Sequence, residues 1–79
     1  MRRKHTQLLV TFATTMAAMG LEQRAAACGM AGRLIPLPSE ISAGCGLAWK
    51  CELEMRQKLI DFMQTEDLRW EMLYELELF

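Results

Sequence analysis

Apolar side chains fall on every second residue near the C-terminal end: Trp70, Met72, Tyr74, Leu76 and Leu78. Arg69, Glu71, Glu75 and Glu77 take the opposite parity. Successive side chains on a strand point to opposite faces, so this alternation predicts a strand exposed on one side. The rest of the chain must supply the sheet that this strand joins.

A second strand signal opens the chain, where Leu8, Val10 and Phe12 alternate with Leu9 and Thr11. It is apolar on both faces, which predicts a central position. Thr14 or Thr15 then offers an N-cap, and Ala18, Leu21, Ala25 and Cys28 form one stripe of a helix that Gly29 stops. Arg33-Leu34-Ile35 reads as a brief strand closed by Pro36 and Pro38, because proline donates nothing to a ladder. Pro36 to Gly46 has no period, and Gly46 to Lys50 reads as a third strand. Glu52 to Gln64 is predicted helical, starting near Cys51. Met55, Leu59, Phe62 and Met63 share one face, and Glu52/Arg56 and Glu54/Lys58 are spaced as ion pairs.

The order is β-α-β-β-α-β. Two right-handed crossovers in so short a chain predict an α+β, ferredoxin-like sandwich, with one four-stranded antiparallel sheet carrying both helices on one face. First and last strands then lie side by side and antiparallel. That places the basic start (Arg2, Arg3, Lys4) near Glu75 and Glu77, which accounts for the charge asymmetry without a nucleic-acid or lipid partner.

With 79 residues there is room for one domain, 1–79, in which 1–6 form a basic N-terminal tail. Nine Lys+Arg against ten Asp+Glu give a net charge of −1, unlike the basic excess that phosphate binding needs. No apolar run is long enough to predict a membrane span. Residues 2–18 superficially resemble a signal peptide, but Thr11, Thr14 and Thr15 interrupt the apolar stretch, so these residues are assigned to the domain. The three cysteines, Cys28, Cys45 and Cys51, are an odd number without a CxxC, which fits a reducing, cytoplasmic setting. His5 is the only histidine, which argues against a zinc site and against a Ser-His-Asp or Cys-His centre.

The segment between the second and third strands is longer than a hairpin needs, and it ends in Gly44-Cys45-Gly46. Flanking glycines remove neighbouring side chains. They also allow successive N–H groups to converge, which would stabilise a thiolate and leave its sulfur reachable, as a nucleophile or persulfide carrier requires. The plain alternative is a small apolar residue plugging the start of a strand. Cys51, at a helix start, has the same two readings. Cys28 lies on a core stripe. Trp49, Trp70 and the seven methionines read as packing residues.

One resemblance carries further. Thr11-Phe12 with Thr14-Thr15, Glu22, and the run Arg33 to Ala48 resemble a family of short bacterial proteins, the selenium/sulfur (Se/S) carrier protein-like family, formerly a domain of unknown function. An R-L-I-P-x-P turn is filled by Arg33 to Pro38, and an S-x-x-C-G-x-A segment by Ser42, Cys45, Gly46 and Ala48. The resemblance implies that Cys45 holds the chalcogen, supported by Arg33, Pro36, Pro38, Ser42, Gly44 and Gly46. Ser39 stands where relatives often carry a basic residue.

Two functions of different class follow. In one, Cys45 accepts a persulfide or selenopersulfide from a donor protein and passes it to an acceptor. The protein is then more a carrier than a stand-alone enzyme, with no cofactor beyond that covalent sulfur or selenium. In the other, the fold is a non-catalytic interaction module docking through its sheet, and Cys45 is structural. A redox pair of Cys45 and Cys51 is a weaker third reading.

Overall fold

The computed structural model describes residues 3–79. Arg2, assigned above to the basic tail, lies outside them. The chain runs β1 (His5–Thr11), α1 (Thr15–Cys28), β2 (Arg33–Pro36), β3 (Leu47–Glu52), a 3-10 turn (Leu53–Met55), α2 (Arg56–Thr65) and β4 (Leu73–Leu78). The sheet order is β2-β3-β1-β4, and every neighbouring pair is antiparallel. This is the expected ferredoxin-like βαββαβ arrangement, with the doubly apolar β1 in the interior of the sheet.

The core lies between sheet and helices. Leu8 and Val10 of β1, Phe12 just after it, and Trp49 and Cys51 of β3 pack with Leu21 of α1 and Leu59 and Met63 of α2. Helix α1 begins as its sequence dictates: Thr14 is the N-cap, and its hydroxyl accepts the Ala17 N–H at 3.2 Å. It ends at Gly29, which sits at φ 71°, in the left-handed region glycine enters without a Cβ clash. Arg24 of α1 reaches Glu66 beyond α2 at 2.9 Å.

Five expectations need correction. Strand β1 starts at His5, so the tail is shorter than residues 1–6, and His5 pairs with Glu52 at 2.9 Å. Strand β3 continues through Cys51 and Glu52, which align with Leu8 and Gln7, so α2 starts only at Arg56. Ladder pairing on the central strand overrides the local helical pattern there, and Arg56 meets Glu75 at 3.4 Å instead of Glu52. Cys28 is exposed although Ala18, Leu21 and Ala25 on its stripe are buried. It is the last helical residue; the chain then turns, and Met30 packs against the core. Met16 and Met19 are exposed at 83% and 54%, so they are not core filler.

The fifth correction concerns β4. Its register places Leu73 opposite Val10 and Glu75 opposite Leu8, on the helix side. Tyr74, Leu76 and Leu78 align with Leu9, Gln7 and His5, on the side away from the helices. The apolar stripe therefore faces outward from the core. As an edge strand, β4 lies at the margin of the helical layer, where Glu75 reaches Arg56 at the surface.

Candidate functional site

Residues 37–46 link β2 to β3 and carry little regular structure. The Leu37 N–H donates to the Gly46 carbonyl at 3.0 Å, which extends the β2–β3 ladder by one step. The Ile41 N–H donates to the Pro38 carbonyl at 3.0 Å, forming a turn inside the loop. The loop then returns across the β1–α1 junction. Gly44 makes that return possible: a Cβ there would stand 2.5 Å from the Ala13 carbonyl oxygen. No side chain fits between those two backbones, so residue 44 has a steric reason to be glycine.

This approach delivers Cys45 to the start of α1. The Cys45 S–H donates to Thr15 Oγ1 at 3.7 Å, and the Leu47 N–H donates to Cys45 Sγ at 3.4 Å. Once the sulfur is a thiolate, the Thr15 hydroxyl can reverse the first bond and donate. The positive end of the α1 dipole lies on the same side. Cys45 itself is only 3% exposed and belongs to the core cluster. Its covering is thin, because Thr15, Gly44 and Gly46 are all exposed.

The glycines act differently from the expectation. Neither Gly44 nor Gly46 has a positive φ, and the amide that reaches the sulfur belongs to Leu47. Gly44 admits a close backbone contact, and a Cβ at Gly46 would meet nothing within 4 Å. The other loop residues are dispersed. Pro36 ends β2 opposite Leu47, Pro38 anchors the turn, and Ser42 is exposed. Arg33 lies opposite Lys50, three residues (about 10 Å) along the strand from Pro36, so it is not brought to Cys45. Thr15 was recognisable only as a capping candidate, because a contact across 30 residues leaves no local pattern.

Cys51 has a different setting. It is 5% exposed inside the β1–β3 ladder, opposite Leu8. Burial, with a smaller contribution from the Glu52 carboxylate, pushes its thiol up to about 11. The strand position removes the helix-start environment expected for it. Ala48 and Cys51 are already about 10 Å apart along β3, and Cys45 lies beyond Ala48. A disulfide requires Cα atoms within about 7 Å, so Cys45 and Cys51 do not form a redox pair in this fold.

A cavity of about 410 Å³ opens at another corner, lined by residues including His5, Arg33, Lys50, Glu52 and Phe79. Cys51 also lines it, and no lining residue touches the Cys45 sulfur, so this cavity is separate from the Cys45 setting. Among the described residues no group of His, Cys, Asp and Glu is arranged to hold a metal ion.

A model of the family described as “Putative Se/S carrier protein-like” matches residues 7–75. No curated protein and no solved structure matches the chain.

Proposed function

The chain belongs to the Se/S carrier protein-like family, and from that premise we propose that it carries sulfur or selenium on Cys45. The supporting observation is the setting of that sulfur. Alone among the three thiols, and among the described residues, it receives a backbone N–H and touches a hydroxyl at a helix start. The Cys45 thiolate attacks the outer sulfur of a donor protein's persulfide, R–S–SH. The S–S bond of the donor breaks, Cys45–S–SH forms, and R–S⁻ leaves. An acceptor thiolate then attacks the outer sulfur, and Cys45 departs as thiolate. No net oxidant is needed, and a selenopersulfide follows the same course. Leu47 N–H and the Thr15 hydroxyl stabilise the sulfur each time it is anionic.

Access requires the 37–46 loop to shift, since Cys45 is nearly covered. All three cysteines are free, and no helix among the described residues is long and apolar enough to cross a membrane. Both features are compatible with work beside partner proteins in a reducing cytoplasm.

Burial in the core cluster favours a second reading, in which Cys45 is packing and the domain is an interaction module. Persulfide loading separates the two. Incubated with a limiting amount of a small-molecule persulfide donor, the wild type and Cys51→Ser take the first sulfur at residue 45, and Cys45→Ser, while remaining folded, loads at most slowly at exposed Cys28. Equal loading of Cys45→Ser and wild type would establish the packing reading.

A further inference from the structure

The R-L-I-P-x-P turn opens on Arg33, and the fold gives that residue no part at Cys45. Strand register sets it elsewhere: Arg33 stands directly opposite Lys50, and Lys50 opposite Leu9. Cross-strand partners share a face, so both cations lie on the side of the sheet away from the helices. Glu52, Gln7 and His5 lie there too, by the alternation along β3 and β1. All five line the cavity of about 410 Å³, a volume within the usual range of small-molecule sites.

Bonds already made fix one wall of this cavity. Gln7 is only 3% exposed, and its amide nitrogen donates to the Leu78 carbonyl at 2.8 Å and to the Phe79 carbonyl at 3.3 Å. The Lys50 ammonium donates to the same Phe79 carbonyl at 2.6 Å. Phe79, just after β4, is thereby held across β1 towards β3. A site formed in advance spares its ligand the cost of ordering it.

The charge in the cavity is unbalanced. Like charges directly opposite each other on neighbouring strands repel, and Arg33 faces Lys50. Among the described residues, Glu52 is the one carboxylate side chain in the lining, and His5 takes it at 2.9 Å. No ion pair among the described residues involves Arg33. Burial pushes the Cys51 thiol up to about 11, so this part of the lining is neutral and does not repel an anion. We propose that the cavity binds a small molecule through an oxyanion group, a carboxylate or a phosphate, held by Arg33 and Lys50. The planar Arg33 guanidinium matches two oxygens of either group, and Lys50 adds a second positive charge across the strand pair. The site is independent of Cys45, whose sulfur meets Thr15 and Leu47 instead.

Amide NMR of the full chain, titrated with sodium phosphate and separately with sodium acetate at constant ionic strength, tests the proposal. The amides of Gly32, Arg33 and Lys50 should shift together and saturate, with a Kd of about 1 mM for the better probe. Phosphate ahead of acetate assigns the site to phosphorylated small molecules, and the reverse order to carboxylic acids. Arg33→Gln should weaken binding about tenfold or more, and Arg33→Lys severalfold, because lysine keeps the charge and loses the fork. Arg33 is exposed, so both variants should keep the wild-type circular dichroism spectrum. Lys58→Gln, the same loss of charge on the exposed surface of α2, should leave binding unchanged. A response to both anions that stays unsaturated up to about 50 mM overturns the proposal. So does a shift that sodium chloride alone reproduces, or equal weakening by Lys58→Gln and Arg33→Gln.

Discussion

Cys45 and Cys51 share one hydrophobic core and differ little in exposure, at 3% and 5%. The surroundings of the two sulfurs differ sharply. Cys51 stands inside a complete ladder, with the Glu52 carboxylate beside it, and its thiol is pushed up to about 11. Cys45 stands at the entrance to the same strand, under exposed glycines, with a backbone N–H and a hydroxyl on its sulfur. The depth of a thiol therefore says little about its chemistry. The groups that can meet its charge, and how much chain must move to uncover it, say more.

The largest effect that could break this comparison is steric. Gly44→Ala places a Cβ against the Ala13 carbonyl oxygen, and the loop must lift. The expected loss is about 1–3 kcal/mol by urea unfolding. Gly46→Ala, with open space around its Cβ, should stay within about 0.5 kcal/mol of wild type. Equal costs at the two positions would mean that the loop does not rest on Ala13.

Next comes the pH response of Cys51. Unfolded, this thiol ionises near 9.0; folded, near 11. The unfolded state therefore gives up the proton first. Stability is intact below about 9.0 and is lost as pH climbs through the window to about 11, by no more than about 2 kcal/mol. Cys51→Ala should remove that component of the alkaline slope in denaturant titrations run across the window. An unchanged slope would show that Cys51 is not held neutral by its strand.

The smallest effect concerns Thr15. Thr15→Val removes the hydroxyl from the Cys45 sulfur and should slow persulfide loading and alkylation about threefold to tenfold, the scale of one modest hydrogen bond. Thr15→Ser should restore the rate. A serine variant as slow as the valine one would remove the hydroxyl from the account.

Much of the fold was legible in the sequence because its signals were local. Gly29 stops α1, Thr14 caps it, and doubly apolar Leu8 to Phe12 lies inside the sheet. The errors fall where distant contacts decide. Glu52 has helical spacing to Arg56, yet pairing with β1 keeps it in a strand. The β4 alternation shows that a strand exists but not which face the core takes. Only the register against β1 reveals that Leu76 faces outward and Glu75 does not. At the candidate site, the glycines around Cys45 stood out, but the partners of its sulfur did not. Thr15 and Leu47 meet the sulfur only after the loop has crossed onto α1.

The most direct measurement keeps all three thiols in the native protein. The protein is exposed to a limiting amount of persulfide donor, digested without reductant, and each cysteine-bearing peptide is weighed for added sulfur. The first sulfur should appear on the peptide containing Cys45, with Cys51 unmodified and exposed Cys28 at most a slower target. First loading on Cys28 or Cys51, with Cys45 bare until the protein is unfolded, would contradict it.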